Sequence, residues 1–323
     1  WEKTTTVNVG VDFALFRHRL SGTIEYYNKY SVDLLAAING SPTQGFGYTT
    51  LMTNNGKMVN RGVEITLSGE IIRQKDFSWN ASLLYAFNRN KVKHISVQPS
   101  LWDSRISMPT SYPMVGKPLY GIYAYKWAGL NENGDPQVYD AENNVTSGPA
   151  RDYHALVYCG TTVPIHNASL TNVLRYKGFE FSAMLILDAG HKLRSSNIPS
   201  INMSNGRITS TAKGIVDRWT QPGDVTDVPR LLFSNDTENF NTHRTELYRY
   251  SDLFVYDASN IRLSNISLAY RVPAHWCKKI SLSGARLQFN VENVATFAFD
   301  SKANYDLGGK VKPNYVWGLY LNF

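Results

Sequence analysis

The residues of this chain whose types could do chemistry are dispersed. Seven histidines, two cysteines and 26 carboxylates are spread over 323 residues. They form no HExxH, GxSxG, CxxC or Walker phosphate-loop pattern, the spacings that metal hydrolysis, serine nucleophiles, redox thiols and phosphate binding require. His154, His166 and His243 are isolated in loops and read as surface groups. No enzymatic activity and no cofactor are expected. One local pattern resembles a cation loop: Asn131-Glu132-Asn133-Gly134-Asp135. Calcium needs oxygen ligands at alternating positions, and only Asp135, with Asp140 further on, offers a well-placed carboxylate. The segment is read chiefly as an Asn-Gly turn, with Asp135 the one candidate metal ligand.

Non-covalent chemistry is better represented. Sugars stack on aromatic rings beside hydrogen-bonding groups, and peptides use aromatic pockets with polar rims. The long loops carry Trp102, Tyr112, Tyr139, Tyr153, Tyr158 and Phe240 as candidate substrate-binding residues, although packing within the loops is the competing role for each. Trp219 and Tyr248 fall near expected strand ends, where interfacial aromatics also collect.

The elements that would position these loops are strands. Val7, Val9, Val11, Phe13 and Leu15 alternate with polar or small residues. So do Val63, Ile65 and Leu67; Phe77, Trp79, Ala81, Leu83, Tyr85 and Phe87; and Ala285, Leu287, Phe289 and Val291. A period of two places one apolar and one polar face on each segment. Further strands fit 19–30, 169–176, 179–188 and 257–270, the last with a phase slip between Leu263 and Ile266 that predicts a bulge. Tyr315, Trp317, Leu319, Leu321 and Phe323 end the chain on the same alternation, as a closing barrel strand and its assembly signal would.

Several of these runs reach ten residues, the length of a membrane-spanning strand rather than the about 5–6 of a soluble one. The composition agrees, with 20 Tyr, 14 Phe and 7 Trp against only 18% charged residues. No segment approaches the about 18 apolar residues of a spanning helix. The net charge of +7 comes from singly scattered Lys and Arg, so nucleic acid is not expected as a partner.

Connections alternate between short turns, at 17–19, 73–76, 177–178 and 273–279, and long loops, at about 36–57, 93–166, 189–253 and 295–312. This is the pattern of periplasmic turns and extracellular loops in a transmembrane antiparallel β-barrel. Nine strands are counted, or eleven if 93–166 adds a hairpin around 119–130. Either count is odd, whereas single-chain barrels are even, so a C-terminal portion of a larger barrel is expected. Glu64, Glu70, Arg286 and Glu292 then face the lumen, and the apolar face meets outer-membrane lipid. Cys159 and Cys277 fall at opposite ends and are expected as free thiols.

Five stretches in order resemble the SusC/RagA-type TonB-dependent transporters: Val9–Phe16 with Gly22–Tyr27, Asn55–Glu64, Val115–Gly121 with Gly129-Leu130, Tyr176–Ser182, and Asn260–Leu268. The resemblance implies a barrel of about 22 strands, plugged by a domain that would lie before Trp1 and through which the TonB complex acts. It also implies a SusD-like surface lipoprotein as partner, and import of oligosaccharides or oligopeptides across the outer membrane of a Gram-negative bacterium. The alternative from another class is a surface adhesin or structural barrel that does not conduct.

Overall fold

Backbone amides in an apolar medium must all be paired, and a sheet of long antiparallel strands does this while showing lipid one face only. The structure, a computed structural model, describes residues 1–39, 43, 50–97, 104–148, 152–203, 212–233, 242–307 and 312–323. Nine strands form one continuous antiparallel sheet in sequence order. They are β1 (Lys3–Leu15), β2 (Leu20–Asn39), β3 (Thr50–Arg73), β4 (Phe77–His94), β5 (His166–Tyr176), β6 (Phe179–Ala189), β7 (Asn260–Arg271), β8 (Gly284–Ala298) and β9 (Asn314–Asn322). The count is nine, and the stretch around 119–130 supplies no wall strand.

Register places like with like. Trp79, Leu174, Phe181, Leu268, Phe289 and Trp317 lie side by side across six strands. One turn of the pleat away, Leu83, Leu170, Leu185 and Leu263 do the same. This face is open: Trp317 is 78% and Val9 61% exposed, far more contiguous apolar surface than a water-facing monomer tolerates. Polar residues that interrupt it are hydrogen-bonded, Arg61 Nε donating to Asn28 Oδ1 at 3.1 Å among them. Asn172 Oδ1 accepts a 3.1 Å bond from Trp79 Nε1, and Tyr85 Oη lies 2.9 Å from His166 Nδ1. The opposite face carries a polar row, Glu25, Glu64, Ala86, Asn167, Asp188 and Asn260. The phase slip in β7 is a bulge at Ser264, which keeps Leu263 and Ile266 on the same apolar face.

Most of the stretch expected as a loop at 36–57 belongs to the ladder. Strand β2 has 20 residues and β3 has 24, roughly 65 and 80 Å at about 3.3 Å per residue. A lipid-facing band is only about 25 Å tall, so this hairpin overhangs it. Strand β8 likewise continues to Ala298, into the start of the expected loop 295–312.

The two longest excursions fold on each other. Within 93–166, Gly121–Tyr125 pairs with Leu156–Thr161, and Trp127–Leu130, Pro136–Tyr139 and Val145–Thr146 make a three-stranded sheet. Within 189–253, the helix Thr242–Arg249 packs against Pro136–Tyr139. Tyr123, Tyr125, Val138, Ala155, Leu156 and Leu247 form one buried cluster; Ile201, Tyr248 and Phe254 form another, and Trp127 touches both. The unit is hung from β4: Gly116 N donates to Val92 O at 2.9 Å, Val92 N donates to Lys117 O at 2.9 Å, and Leu119 N donates to Asn90 Oδ1 at 2.8 Å.

Candidate functional site

On the polar face, strand alternation brings charged side chains into hydrogen-bonded sets. Glu180 accepts from Arg175 Nε at 2.7 Å and from Arg286 Nη2 at 3.1 Å, so one carboxylate bridges two guanidiniums. Asp188 accepts from Asn167 Nδ2 at 2.7 Å and Arg262 Nη2 at 3.0 Å. A cavity of about 320 Å3 opens on this face, lined by Glu64, Thr66, Leu84, Asn167, Ile186 and Asp188 among others. A second, of about 460 Å3, lies toward the short turns around Arg19, Ser68, Glu70 and Asn80.

All four residues expected to face the lumen lie on this polar surface. Glu64 sits beside Glu25 in the ladder, Glu70 pairs with Arg73 at 3.4 Å, Arg286 pairs with Glu180, and Glu292 accepts from Asn314 Nδ2 at 3.4 Å. Such a surface can hydrogen-bond a passing polar solute at many points.

The loop unit holds its charges differently. Arg244, only 2% exposed, donates from Nε to Asp135 Oδ1 at 3.1 Å, from Nη1 to Ile201 O at 3.0 Å and to Asn202 Oδ1, and from Nη2 to Arg230 O at 2.7 Å. Arg230 donates to both oxygens of the same Asp135, at 3.1 and 2.8 Å. Burial pulls the Arg244 guanidinium below its ordinary pKa, and Asp135 opposes that. The calcium reading of Asp135 is corrected here: both of its oxygens face guanidinium donors, which repel a cation. Asn131 Oδ1 accepts from the amides of Asn133 at 3.0 Å and Asp135 at 2.9 Å, closing the turn that the Asn-Gly pair predicts. Trp219 lies against Gly134, where a Cβ would meet its ring, and Tyr248 is a core residue of the helix. Neither sits at a strand end.

The loop aromatics among the described residues pack against cations and the core of the unit. Tyr153 packs under Arg105 at 5.0 Å, Tyr139 under Lys126 at 4.8 Å, and Tyr158 under Lys117 at 4.9 Å and beside Tyr123. The Tyr112 carbonyl accepts from Arg105 Nε at 3.4 Å. Each is half-buried and braces the unit. Trp102 and Phe240 lie outside the described residues. Sequence reasoning passed over Arg230, Arg244 and Trp127, whose partners are distant in the chain. Trp127 donates from Nε1 to Asp227 at 2.9 Å and from its amide to Asp252 at 2.9 Å.

Both cysteines are free thiols at opposite ends of the wall, Cys159 in the loop unit and Cys277 in the short-turn helix Ala274–Lys278. Burial pushes the Cys159 thiol up to about 11, because an apolar setting disfavours the thiolate. About one molecule in a thousand is then ionised at pH 8, against about a quarter for an ordinary thiol. Iodoacetamide at pH 8 is therefore expected to label Cys159 at least about 100-fold more slowly in the folded protein than after denaturation. Peptide mass spectrometry over a time course checks this; equal rates would contradict the burial.

Comparison with known proteins agrees with this architecture. The family model described as TonB dependent receptor-like, beta-barrel matches residues 1–294. The TonB-dependent receptor P3 of Formosa agariphila is 26% identical over 99% of this chain and 32% of the relative. The TonB-dependent receptor SusC of Bacteroides thetaiotaomicron is 25% identical over 91% of this chain and 28% of its own length. Among solved structures, that of the RagAB peptide transporter superposes over 100% of this chain and 36% of that one, with a TM-score of 0.74 at 23% identity, a likeness of fold. The chain thus spans about a third of the length of these relatives. With nine wall strands in order and the family model covering the first seven and most of the eighth, this chain belongs to the TonB-dependent receptor-like β-barrel family.

Proposed function

We propose that this chain supplies part of the wall and a large part of the extracellular loops of an outer-membrane transporter. In this reading it imports nutrient oligomers, oligosaccharides or oligopeptides, with energy from the TonB complex and capture by a SusD-like surface lipoprotein. The observation that carries the reading is the two-faced wall. One face is a continuous apolar ladder suited to lipid. The other is a polar surface with cavities of about 320 and 460 Å3 that offers many exchangeable hydrogen bonds. A solute moving along such a surface replaces one set of hydrogen bonds with another and never faces an unsatisfied stretch.

Kinship supports the coupling, since TonB-dependent receptors are among the relatives and a peptide transporter shares the fold. The folded loop unit suits the capture step: it is hydrogen-bonded to the end of β4 and presents a shaped surface at the wall's long-loop end. Glu64 and Arg286 lie on the route and are positioned to contact cargo. The test is uptake of fluorescently labelled oligosaccharide and oligopeptide mixtures by cells carrying the full-length protein, with and without the energising complex. Uptake is expected to cease without that complex. Surface binding that persists unchanged, with no accumulation in either strain, would replace the importer by an adhesin.

A further inference from the structure

A cavity of about 430 Å3 lies in the loop unit, between the segment Arg194–Ser200 and the helix Thr242–Arg249. Arg194 and Arg249 line it with the hydroxyls of Ser195, Ser200 and Thr245 and the apolar Ile198 and Pro199; among the described residues the carboxylate beside it is Asp306, which accepts from Ser196 Oγ at 2.6 Å. Several neighbouring cations are paired with carboxylates: Arg230 and Arg244 share Asp135, Lys192 lies 3.0 Å from Asp257, and His243 lies 3.1 Å from Glu246. Arg194 is held only by carbonyls, donating from Nη2 to Tyr123 O at 2.7 Å and from Nη1 to Arg249 O at 3.2 Å and Ser251 O at 3.3 Å. Three of its five N–H donors are thereby engaged, leaving two. Among the described residues the Arg249 guanidinium makes a ring contact, at 5.9 Å with Tyr250, and no hydrogen bond or ion pair.

Thr245 and Arg249, one helical turn apart, share a face. The Thr245 hydroxyl oxygen is buried with no hydrogen-bond partner, a costly arrangement that a ligand atom would relieve. Two like charges lining one cavity raise the local potential, and an oxyanion is the ligand that lowers it.

We propose that this cavity binds a carboxylate or sulfate group carried by an oligomeric cargo, with Arg249 as the principal contact and Arg194 and Thr245 completing the site. The cargo class is therefore acidic. The proposal takes the source of the anion from the import reading, so binding is measured directly and does not depend on transport. The full-length protein, purified with its lipoprotein partner in mild detergent, is titrated calorimetrically with hexagalacturonate, with hexaglutamate and with neutral maltohexaose. At least one acidic oligomer is expected to bind about tenfold or more tightly than the neutral one; which one does so distinguishes glycan from peptide as its source. Arg249→Gln is expected to abolish that preference and Thr245→Val to weaken it severalfold. Both variants should fold, since the first changes an exposed side chain and the second removes an unsatisfied hydroxyl.

Equal binding of acidic and neutral oligomers, no binding of either, or a preference that survives Arg249→Gln overturns the proposal. Acidic binding with no energised uptake would instead remove the import reading and leave the site standing.

Discussion

Leu185→Arg in the full-length protein is expected to destabilise the wall by about 2–4 kcal/mol in lipid vesicles, whereas Ile186→Arg next to it costs at most about 1 kcal/mol. The two residues are adjacent in β6 and point to opposite faces. Leu185 lies between Leu170 and Leu263 in the apolar ladder. Ile186 lines the cavity of about 320 Å3 on the polar face. An arginine near the middle of the lipid-facing band must bend toward the interface or draw water in, whereas on the polar face it finds Asp188 and Glu64 within the same cavity. Urea titration of the refolded protein, read by the mobility of unheated samples in gels, compares the two. Equal losses would mean that the faces are misassigned. Ile186→Arg should instead show itself as slowed uptake, by narrowing the polar route.

The second large effect is expected at the loop unit. Arg244→Ala removes a buried cation that ties Asp135, Ile201, Asn202 and Arg230 together. It leaves a half-buried carboxylate with one guanidinium partner in place of two, the Arg230 carbonyl without its Arg244 donor, and the Ile201 carbonyl with Leu232 N. Breaking a buried pair in this way costs about 3–5 kcal/mol, at least a hundredfold in the local opening equilibrium. Hydrogen exchange across 121–139 and 192–203 should accelerate by that factor, while the ladder β3 to β6 keeps its protection. A double variant that also carries Asp135→Ala should lose less than the sum of the two singles, because the same bonds are removed. Strict additivity, or uniform acceleration that includes the wall, would show that the unit is not an independently cooperative part.

The wall was legible because its information is local. Alternation at Val9, Val11 and Phe13, or at Phe77, Trp79 and Ala81, is a property of neighbouring residues, and even the bulge at Ser264 showed as a slipped phase. The loop unit was not legible for the opposite reason. Gly121–Tyr125 is buried throughout and has no alternation to read. Its partner strand begins 31 residues later, and the helix that covers Pro136–Tyr139 lies about a hundred residues on. Asp135 was weighed against the oxygens beside it and so looked like a candidate calcium ligand. What fixes its role are two arginines 95 and 109 residues away. The loop aromatics suffered likewise, since the cations stacked on Tyr153 and Tyr158 come from positions 105 and 117. Residue type announced stickiness without saying to what.

Those same separations set an order of events. The two ion pairs of Asp135 join residues about a hundred positions apart, and β5 and β6 lie in the chain between the two excursions. Such contacts close late, because the loop entropy must be overcome before they reward it. Docking of Arg244 onto Asp135 is therefore a checkpoint on the wall beneath it. A one-residue slip of β5 on β4 would turn His166 and Leu170 to the wrong face and shift one excursion against the other by a residue's length. The loop unit would then fail to close, and an ill-registered wall would present open, protease-sensitive loops in place of a finished cap.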